Sequence, residues 1–95
     1  MAHVIPSFTW ETTTTSGTGP VSLEGAAKGY ARTFASGVGD QNECEYAIVS
    51  STDFERGKGT VTTGSPDTLS RDTIRASSNN NSKVSFGAEE KNVYV

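Results

Sequence analysis

The sequence predicts an all-β domain, a small antiparallel sandwich or barrel of about seven or eight short strands. Ser and Thr supply 25 of the 95 residues and Gly another ten, a composition that favours strands and tight turns over helices. Turn signals separate short alternating runs at intervals of ~8 to 12 residues, which is the pattern of small sandwiches and barrels. We expect residues 1–95 to form a single β domain, since this length leaves no room for two hydrophobic cores.

The first strands are predicted at residues 8–14 and 21–23, where apolar or Thr residues alternate with polar ones. We expect these two strands to form a hairpin with a long loop. In residues 25–39 several Ala, Tyr and Phe side chains fall near helical spacing, but two glycines in this segment would each cost about 1 kcal/mol in a helix interior. A loop or twisted strand around residues 30–34 is therefore favoured over a helical turn.

The middle of the chain is predicted to hold the central strand, at residues 44–49, because its second face is half apolar. Residues 54–56 follow closely enough to return as a hairpin, and Gly57-Lys58-Gly59 is expected to bend the chain before the next strand. Further strands are predicted at residues 60–63, 68–75, 84–86 and 92–95. We expect the last of these to leave an edge that must be paired.

Charge and hydropathy argue against several classes of partner. Eight Lys and Arg against eleven Asp and Glu give a net charge of −3, without the basic patch that binding to a phosphate backbone needs, so we expect no nucleic-acid partner. No stretch approaches the ~20 apolar residues of a membrane span, and no apolar run follows positive charges as in a signal peptide. We therefore expect a soluble protein with no membrane partner and no export signal.

Few residues suit catalysis or metal binding. Around Gly57-Lys58-Gly59-Thr60 the sequence lacks both the glycine five residues before the Gly-Lys pair and the Ser or Thr directly after Lys, so a glycine turn is preferred to a phosphate loop. His3 is the single histidine and has no acidic or histidine cluster at ligand spacing. We expect no catalytic residue, no metal and no cofactor.

Cys44 and its two acidic neighbours form a second group with possible chemistry. Glu43, Glu45 and Glu55 could in principle supply a catalytic carboxylate pair, as in sugar hydrolysis. Glu43 and Glu45 lie two residues apart, however, so they should project from the strand face opposite Cys44, and a solvated face is the preferred interpretation. Cys44 is interpreted as a buried structural thiol, with an intermolecular disulfide between subunits as the alternative.

Large side chains near both ends of the sequence indicate a candidate interface. Phe8, Trp10, Tyr94 and Val95 are too many for two terminal strands to leave in solvent without a neighbour. Packing on the protein's own core and packing on a partner chain both account for them, since terminal and edge strands readily form symmetric contacts. Together with Cys44 these residues are the interface candidates, and we expect a homo-oligomer.

Several segments stand in an order that extends over nearly the whole chain. They are residues 10–19, 23–26 with Gly29-Tyr30, 46–48, 57–60, 68–79, 84–86 and 91–95, of which 68–79 is the most specific. This order resembles a small β-rich structural domain of tailed bacteriophages and prophages, found as a short stand-alone protein or as the leading part of longer tail-fibre and related virion proteins. Glu89-Glu90 departs from the family, which often has Gly near that position, so the last turn is expected to differ.

The resemblance implies a non-enzymatic virion component that binds other virion proteins. Such a protein would lie at the neck, collar or tail and would anchor or connect fibres, with no catalytic residues. Since no fibre sequence follows Val95, we expect no fibre shaft in this polypeptide. Two alternatives remain open: a capsid decoration protein, and a carbohydrate-binding module on the virion surface that uses Trp10 or Tyr30 as a stacking platform.

Overall fold

The computed structural model describes residues 8–95, which form seven strands and one short helix. The strands are β1 (Trp10–Thr13), β2 (Val21–Leu23), β3 (Glu43–Val49), β4 (Phe54–Thr62), β5 (Asp67–Leu69), β6 (Thr73–Ser77) and β7 (Lys91–Tyr94). The helix α1 (Phe34–Gly37) lies between β2 and β3. Within this part of the chain, no helix is long and apolar enough to cross a membrane.

All strand pairs are antiparallel, in the order β1-β7-β3-β4-β5-β2, and β6 pairs with β4 next to β5. The sheet curls until β1 meets the segment that follows β2. There the amide of Glu24 donates to the carbonyl of Thr12 at 2.9 Å, and the amide of Ala27 donates to the carbonyl of Trp10 at 2.9 Å. The sheet is thus a nearly closed antiparallel barrel, which confirms the predicted all-β class.

The hydrophobic core fills the inside of this barrel. Side chains alternate between the two faces of each strand, so every second side chain points into the barrel. Burial of a large apolar side chain there contributes about 1.5 to 3 kcal/mol to the stability of the fold. The buried apolar residues are Val21, Leu23, Phe34, Tyr46, Ile48, Val61, Leu69, Val84, Phe86 and Val93.

The predicted bend at Gly57-Lys58-Gly59 is wrong, because β4 continues through it as one nine-residue strand. Both glycines face inward at points where another backbone passes close by. A Cβ atom at Gly59 would lie 1.8 Å from the carbonyl oxygen of Ser70, and one at Gly57 would lie 2.2 Å from that of Thr73. Glycine is needed here for close approach of the backbones and not for a turn.

Two expected strand neighbours are also corrected. β1 and β2 do not form a hairpin, since β1 pairs with β7 and β2 pairs with β5. β7 is not an edge, because it lies between β1 and β3. Alternation along a strand fixes which side chains share a face, but it carries no information about which strand lies alongside.

One local prediction holds only in part, and another is wrong. Residues 30–33 are outside any helix, as predicted, and Arg32 forms an isolated bridge with Thr9, but a helical turn begins at Phe34, after the two glycines that argued against a helix. The Thr33 side chain accepts a hydrogen bond from the amide of Ser36 at 3.2 Å, as an N-cap does. Residues 84–86 form only an isolated bridge between Phe86 and Gly17 and no strand.

Candidate functional site

A buried ion pair is the main polar feature of the barrel interior. Arg71 donates to Glu55 from Nε to Oε2 at 2.8 Å and from Nη2 to Oε1 at 2.5 Å, and both side chains are at most 1% exposed. The Tyr46 hydroxyl donates to Oε2 at 2.6 Å, and the amide of Val84 donates to Oε1 at 2.9 Å. Each carboxylate oxygen therefore has two donors, so the charge is fully paired inside the barrel.

The rest of the Arg71 guanidinium holds two loops against the barrel. Its Nη1 donates to the carbonyls of Gly17 at 3.0 Å and Gly19 at 3.2 Å, and its Nη2 also donates to the carbonyl of Val84 at 2.6 Å. The guanidinium carbon lies 5.4 Å from the centre of the Phe86 ring, within range of a cation–π contact. Residues 84–86 are thus held by the Arg71 and Glu55 side chains and by the backbone bridge between Phe86 and Gly17, without belonging to a strand.

The environment keeps this pair ionised. Burial acts to raise the pKa of Glu55, but the hydrogen bonds from Arg71 and Tyr46 outweigh it and hold that pKa below its ordinary value. Burial, together with the hydrogen bond to the Glu55 carboxylate, raises the pKa of the Tyr46 hydroxyl, which stays protonated. Because these groups are paired and closed to solvent, they stabilise the fold and present no free group to a ligand.

Two further buried charges also bind the backbone. Glu11 accepts from the amide of Phe34 at 2.6 Å, at the start of α1, and from the amide of Gly25 at 2.9 Å. Lys91 donates to the carbonyl of Gly87 at 2.5 Å and to that of Glu89 at 2.6 Å, and burial lowers its pKa. Both residues fix turns that close the barrel.

No convergent set of metal ligands occurs in the part of the chain that the structure describes. Among residues 8–95, no three His, Cys, Asp or Glu side chains are placed to hold a metal ion together. His3 lies outside the described residues.

The outer face of the sheet carries two rows of side chains across β1, β7, β3 and β4. The strand registers fix these rows, since residues two apart along a strand share a face. In that strand order the first row is Trp10, Tyr94, Ala47 and Arg56. The second row is Thr12, Asn92, Val49 and Phe54.

Five apolar side chains in these rows form what we call the outer apolar patch: Trp10, Ala47, Val49, Phe54 and Tyr94. Val49 is 38% exposed and Phe54 is 40% exposed. The rings of Trp10 and Tyr94 stack with their centroids 5.4 Å apart, and the Trp10 indole donates to the Asn92 side chain at 2.9 Å. Apolar side chains that lie together on an exposed sheet face are typical of a surface that contacts another protein.

The same outer face is charged at the other end of β3 and β4. Arg75 on β6 binds Glu45 through two hydrogen bonds of 2.9 and 3.0 Å, and Lys58 lies 3.7 Å from Glu43. The structure thus places Glu43 and Glu45 in solvent, each beside a cation. The outer face is divided into a paired charged half and the outer apolar patch.

A shallow groove of about 540 Å³ contains the one cysteine of the sequence. Its lining includes Val38, Cys44 and Val95. Burial, with the nearby Glu45 carboxylate, raises the pKa of the Cys44 thiol to about 11, so the thiol is protonated at neutral pH. Since the thiolate is the species that attacks disulfides, this environment disfavours the intermolecular disulfide.

The five interface candidates from the sequence fall in three places. Trp10 and Tyr94 lie together in the outer apolar patch, whereas Cys44 and Val95 line the groove. Phe8 is 69% exposed and packs edge-on against Tyr30, with ring centroids 6.0 Å apart. The structure therefore brings four of the candidates together in two pairs and places Phe8 apart from both.

The sequence interpretation missed three patch residues, Ala47, Val49 and Phe54. The sequence carries a signal for two of them, because the second face of residues 44–49 is half apolar, a pattern that also predicts a central strand. β3 is central in the sheet, but the barrel has no second layer, so this second face is the outer surface.

Comparisons with known proteins give no family assignment. No protein-family model matches the chain, and no match was found among curated proteins or among solved structures. Function must therefore be inferred from the residues and their geometry.

Proposed function

We propose that this protein is a non-enzymatic structural protein of a bacteriophage particle, which assembles at the neck, collar or tail and anchors or connects fibres. It would act through protein–protein contacts, as a homo-oligomer that also binds other virion proteins. The observation that carries the proposal is the outer apolar patch, which is exposed on the sheet, whereas the Glu55–Arg71 pair inside the barrel is closed to solvent.

The rigidity of the barrel supports a role in assembly. β1, β7, β3 and β4 hold the patch in one continuous hydrogen-bonded sheet, so its side chains need little ordering when a partner binds. The buried charged side chains already have partners within the fold: Glu55 and Arg71 bind each other, and Glu11 and Lys91 bind the backbone. A preformed apolar surface, on a barrel whose buried charged groups are not available to a ligand, fits a protein that functions by binding other proteins.

The positions of the family-like segments also support the proposal. Arg71 belongs to segment 68–79, and it binds the carbonyls of Gly17 and Gly19 in segment 10–19. Tyr46 in segment 46–48 shares the Glu55 carboxylate with Arg71. Segments that stand apart in the sequence thus meet at one ion pair, which gives their order and spacing a physical reason.

The proposal is tested by asking whether the protein enters particles through the patch. The double variant Val49→Glu/Phe54→Glu places two carboxylates in the patch at exposed positions, where the fold tolerates them. We expect wild-type protein to co-purify with density-gradient-purified particles and the variant to remain in the soluble fraction. Thr62→Glu is the matched control, because it adds a charge to the same face of β4 away from the patch.

Two results would contradict this proposal. One is purified particles that lack the wild-type protein. The other is equal incorporation of the wild type and the patch variant, with circular dichroism showing that both are folded. A density map of the particle then separates the neck, collar or tail location from a capsid decoration protein.

One observation favours the carbohydrate-binding alternative, namely the aromatic pair Phe8 and Tyr30, which lies apart from the patch. Tyr30 is 66% exposed, and an accessible ring can stack on a sugar. A glycan array with the isolated protein distinguishes this function: saturable binding that Tyr30→Ala abolishes and Phe54→Ala retains would favour a lectin over a scaffold.

A further inference from the structure

The outer apolar patch is too small to be a whole interface. Its two rows span four strands, or about 14 by 7 Å between Cα positions on an ideal sheet, whereas a standard interface buries ~800 Å² on each partner. A partner that covers the patch must therefore also cover the residues at its border. The charges on that border decide which partner fits.

Two border charges on the patch strands have no partner within residues 8–95. Arg56 is exposed at the end of the first row, and no hydrogen bond or ion pair reaches its side chain. Glu90 is exposed directly before β7, two residues ahead of Asn92, and its carboxylate is likewise unpaired. The other charges on the outer face of β3 and β4 are already paired, as Glu43–Lys58 and Glu45–Arg75.

Arg56 lies at one corner of the patch, and Glu90 lies outside its second row, one row beyond Asn92 along the line of β7. On an untwisted grid of ~4.8 Å between strands and ~6.8 Å between rows they lie about 17 Å apart, too far to pair within one chain. On the same grid, the line equidistant from Arg56 and Glu90 passes over Trp10 and Val49. A two-fold axis along this line would place Trp10 and Val49 of one copy against the same residues of the other and would bring each Arg56 onto the other copy's Glu90.

We propose that the outer apolar patch is the contact surface of a symmetric homodimer, in which a second copy packs face to face and Arg56 of each copy pairs with Glu90 of the other. A two-fold interface requires a self-complementary surface, and a cation and an anion at equal distances on opposite sides of the axis meet that requirement. The inference rests on the proposed function, since it names the surface through which copies assemble.

Charge reversal tests this arrangement. We expect sedimentation velocity to give a dimer for the wild type and to show at least tenfold weaker association for Arg56→Glu and for Glu90→Arg, because each change creates two like-charge contacts in the dimer. The double variant Arg56→Glu/Glu90→Arg should recover the dimer. An equimolar mixture of the two single variants should form a heterodimer, in which both ion pairs are restored, one in the wild-type sense and one with its charges exchanged.

Glu89→Arg is the matched control, since it reverses the neighbouring exposed charge and should leave the dimer unchanged. The inference is overturned by a monomeric wild type at high micromolar concentration, or by a dimer that is indifferent to both single reversals. All variants change exposed side chains, and circular dichroism checks that they fold. Incorporation of wild-type protein into particles is measured separately, so a failed dimer with normal incorporation would reject this inference and leave the structural role in place.

Discussion

Two glutamate–arginine pairs lie on opposite sides of the same sheet and have nearly the same geometry. Glu55–Arg71 points into the barrel, and Glu45–Arg75 lies on the outer face. Each uses the arginine Nε and Nη2 atoms against both oxygens of the carboxylate. The side chains of the inner pair are at most 1% exposed, and those of the outer pair are more than half exposed.

The difference between them shows that contact geometry alone does not fix the energetic role of an ion pair. The outer pair competes with water and is screened by salt, so it contributes little. The inner pair has lost its water, and removal of one partner leaves a buried charge without compensation. The inner arginine also binds backbone carbonyls from two loops, whereas among residues 8–95 the outer one binds only its glutamate.

The largest effect should come from breaking the inner pair. Arg71→Met leaves the Glu55 carboxylate buried without its cation and frees the loop carbonyls, and we expect a loss of about 3 to 5 kcal/mol in the free energy of unfolding. Urea denaturation followed by circular dichroism measures this loss. Arg75→Met, the same substitution on the outer face, should leave the denaturation midpoint unchanged. Equal midpoints for the two variants would contradict the comparison.

The second-largest effect tests whether the inward face of β4 is tightly packed as well as charged. Gly59→Ala places a methyl group against the carbonyl of Ser70, where β5 and β6 meet β4. We expect a loss of about 1 to 3 kcal/mol from overpacking. Thr62→Ala, on the outer face of the same strand, is the control and should change the unfolding midpoint much less. A Gly59→Ala protein as stable as the wild type would show that β4 has room on its inner side.

Acid should lower the stability of the protein by protonating Glu55 of the inner pair. The folded protein holds the pKa of Glu55 below the ordinary glutamate value of 4.5, so between the two values the unfolded chain binds more protons. This contribution to stability is fully present above pH 4.5 and is lost as the pH falls through the pKa of the folded state. Unfolding midpoints between pH 7 and pH 3 should fall for the wild type and, in parallel, for Glu45→Gln. A Glu45→Gln protein with a flat profile would assign the acid sensitivity to the outer pair instead.

The smallest effect concerns the thiol of Cys44, which is half-buried and lies near the Glu45 carboxylate. Because the Glu45 carboxylate helps to raise the pKa of Cys44, Glu45→Gln should increase the rate of alkylation by iodoacetamide at pH 8, by less than tenfold. Glu43→Gln is the control and should not change the rate. Mass spectrometry of timed samples gives both rates, and a faster reaction in the Glu43→Gln protein alone would contradict this account.

The sequence allows the fold class to be predicted, because composition and turn spacing are properties of local segments. It does not allow the strand neighbours to be predicted: β1 and β2 were expected to pair, yet each finds its partner more than 40 residues away. Such partners depend on how the whole sheet curls, which no local pattern encodes. Gly57 and Gly59 show the same limit, since only the crossing backbone explains them.

The candidate surface was predictable in part. Trp10 and Tyr94 were identified because large aromatic residues stand out at the ends of the sequence. Phe54 and Arg56 were not, because their importance comes from the register that aligns β4 with β3 and β7. The ion pair of Glu55 and Arg71 was missed as well, because single charged residues in alternating strands resemble ordinary solvent-facing positions.

The position of Arg71 affects how the protein opens. One guanidinium joins β4, the loop at residues 17–19 and the segment at residues 84–86, so none of these regions can detach without breaking contacts in the other two. The barrel should therefore open as one cooperative unit. Deuterium uptake at the amide of Val84, although it lies outside any strand, is expected to be as slow as uptake in the middle of β4.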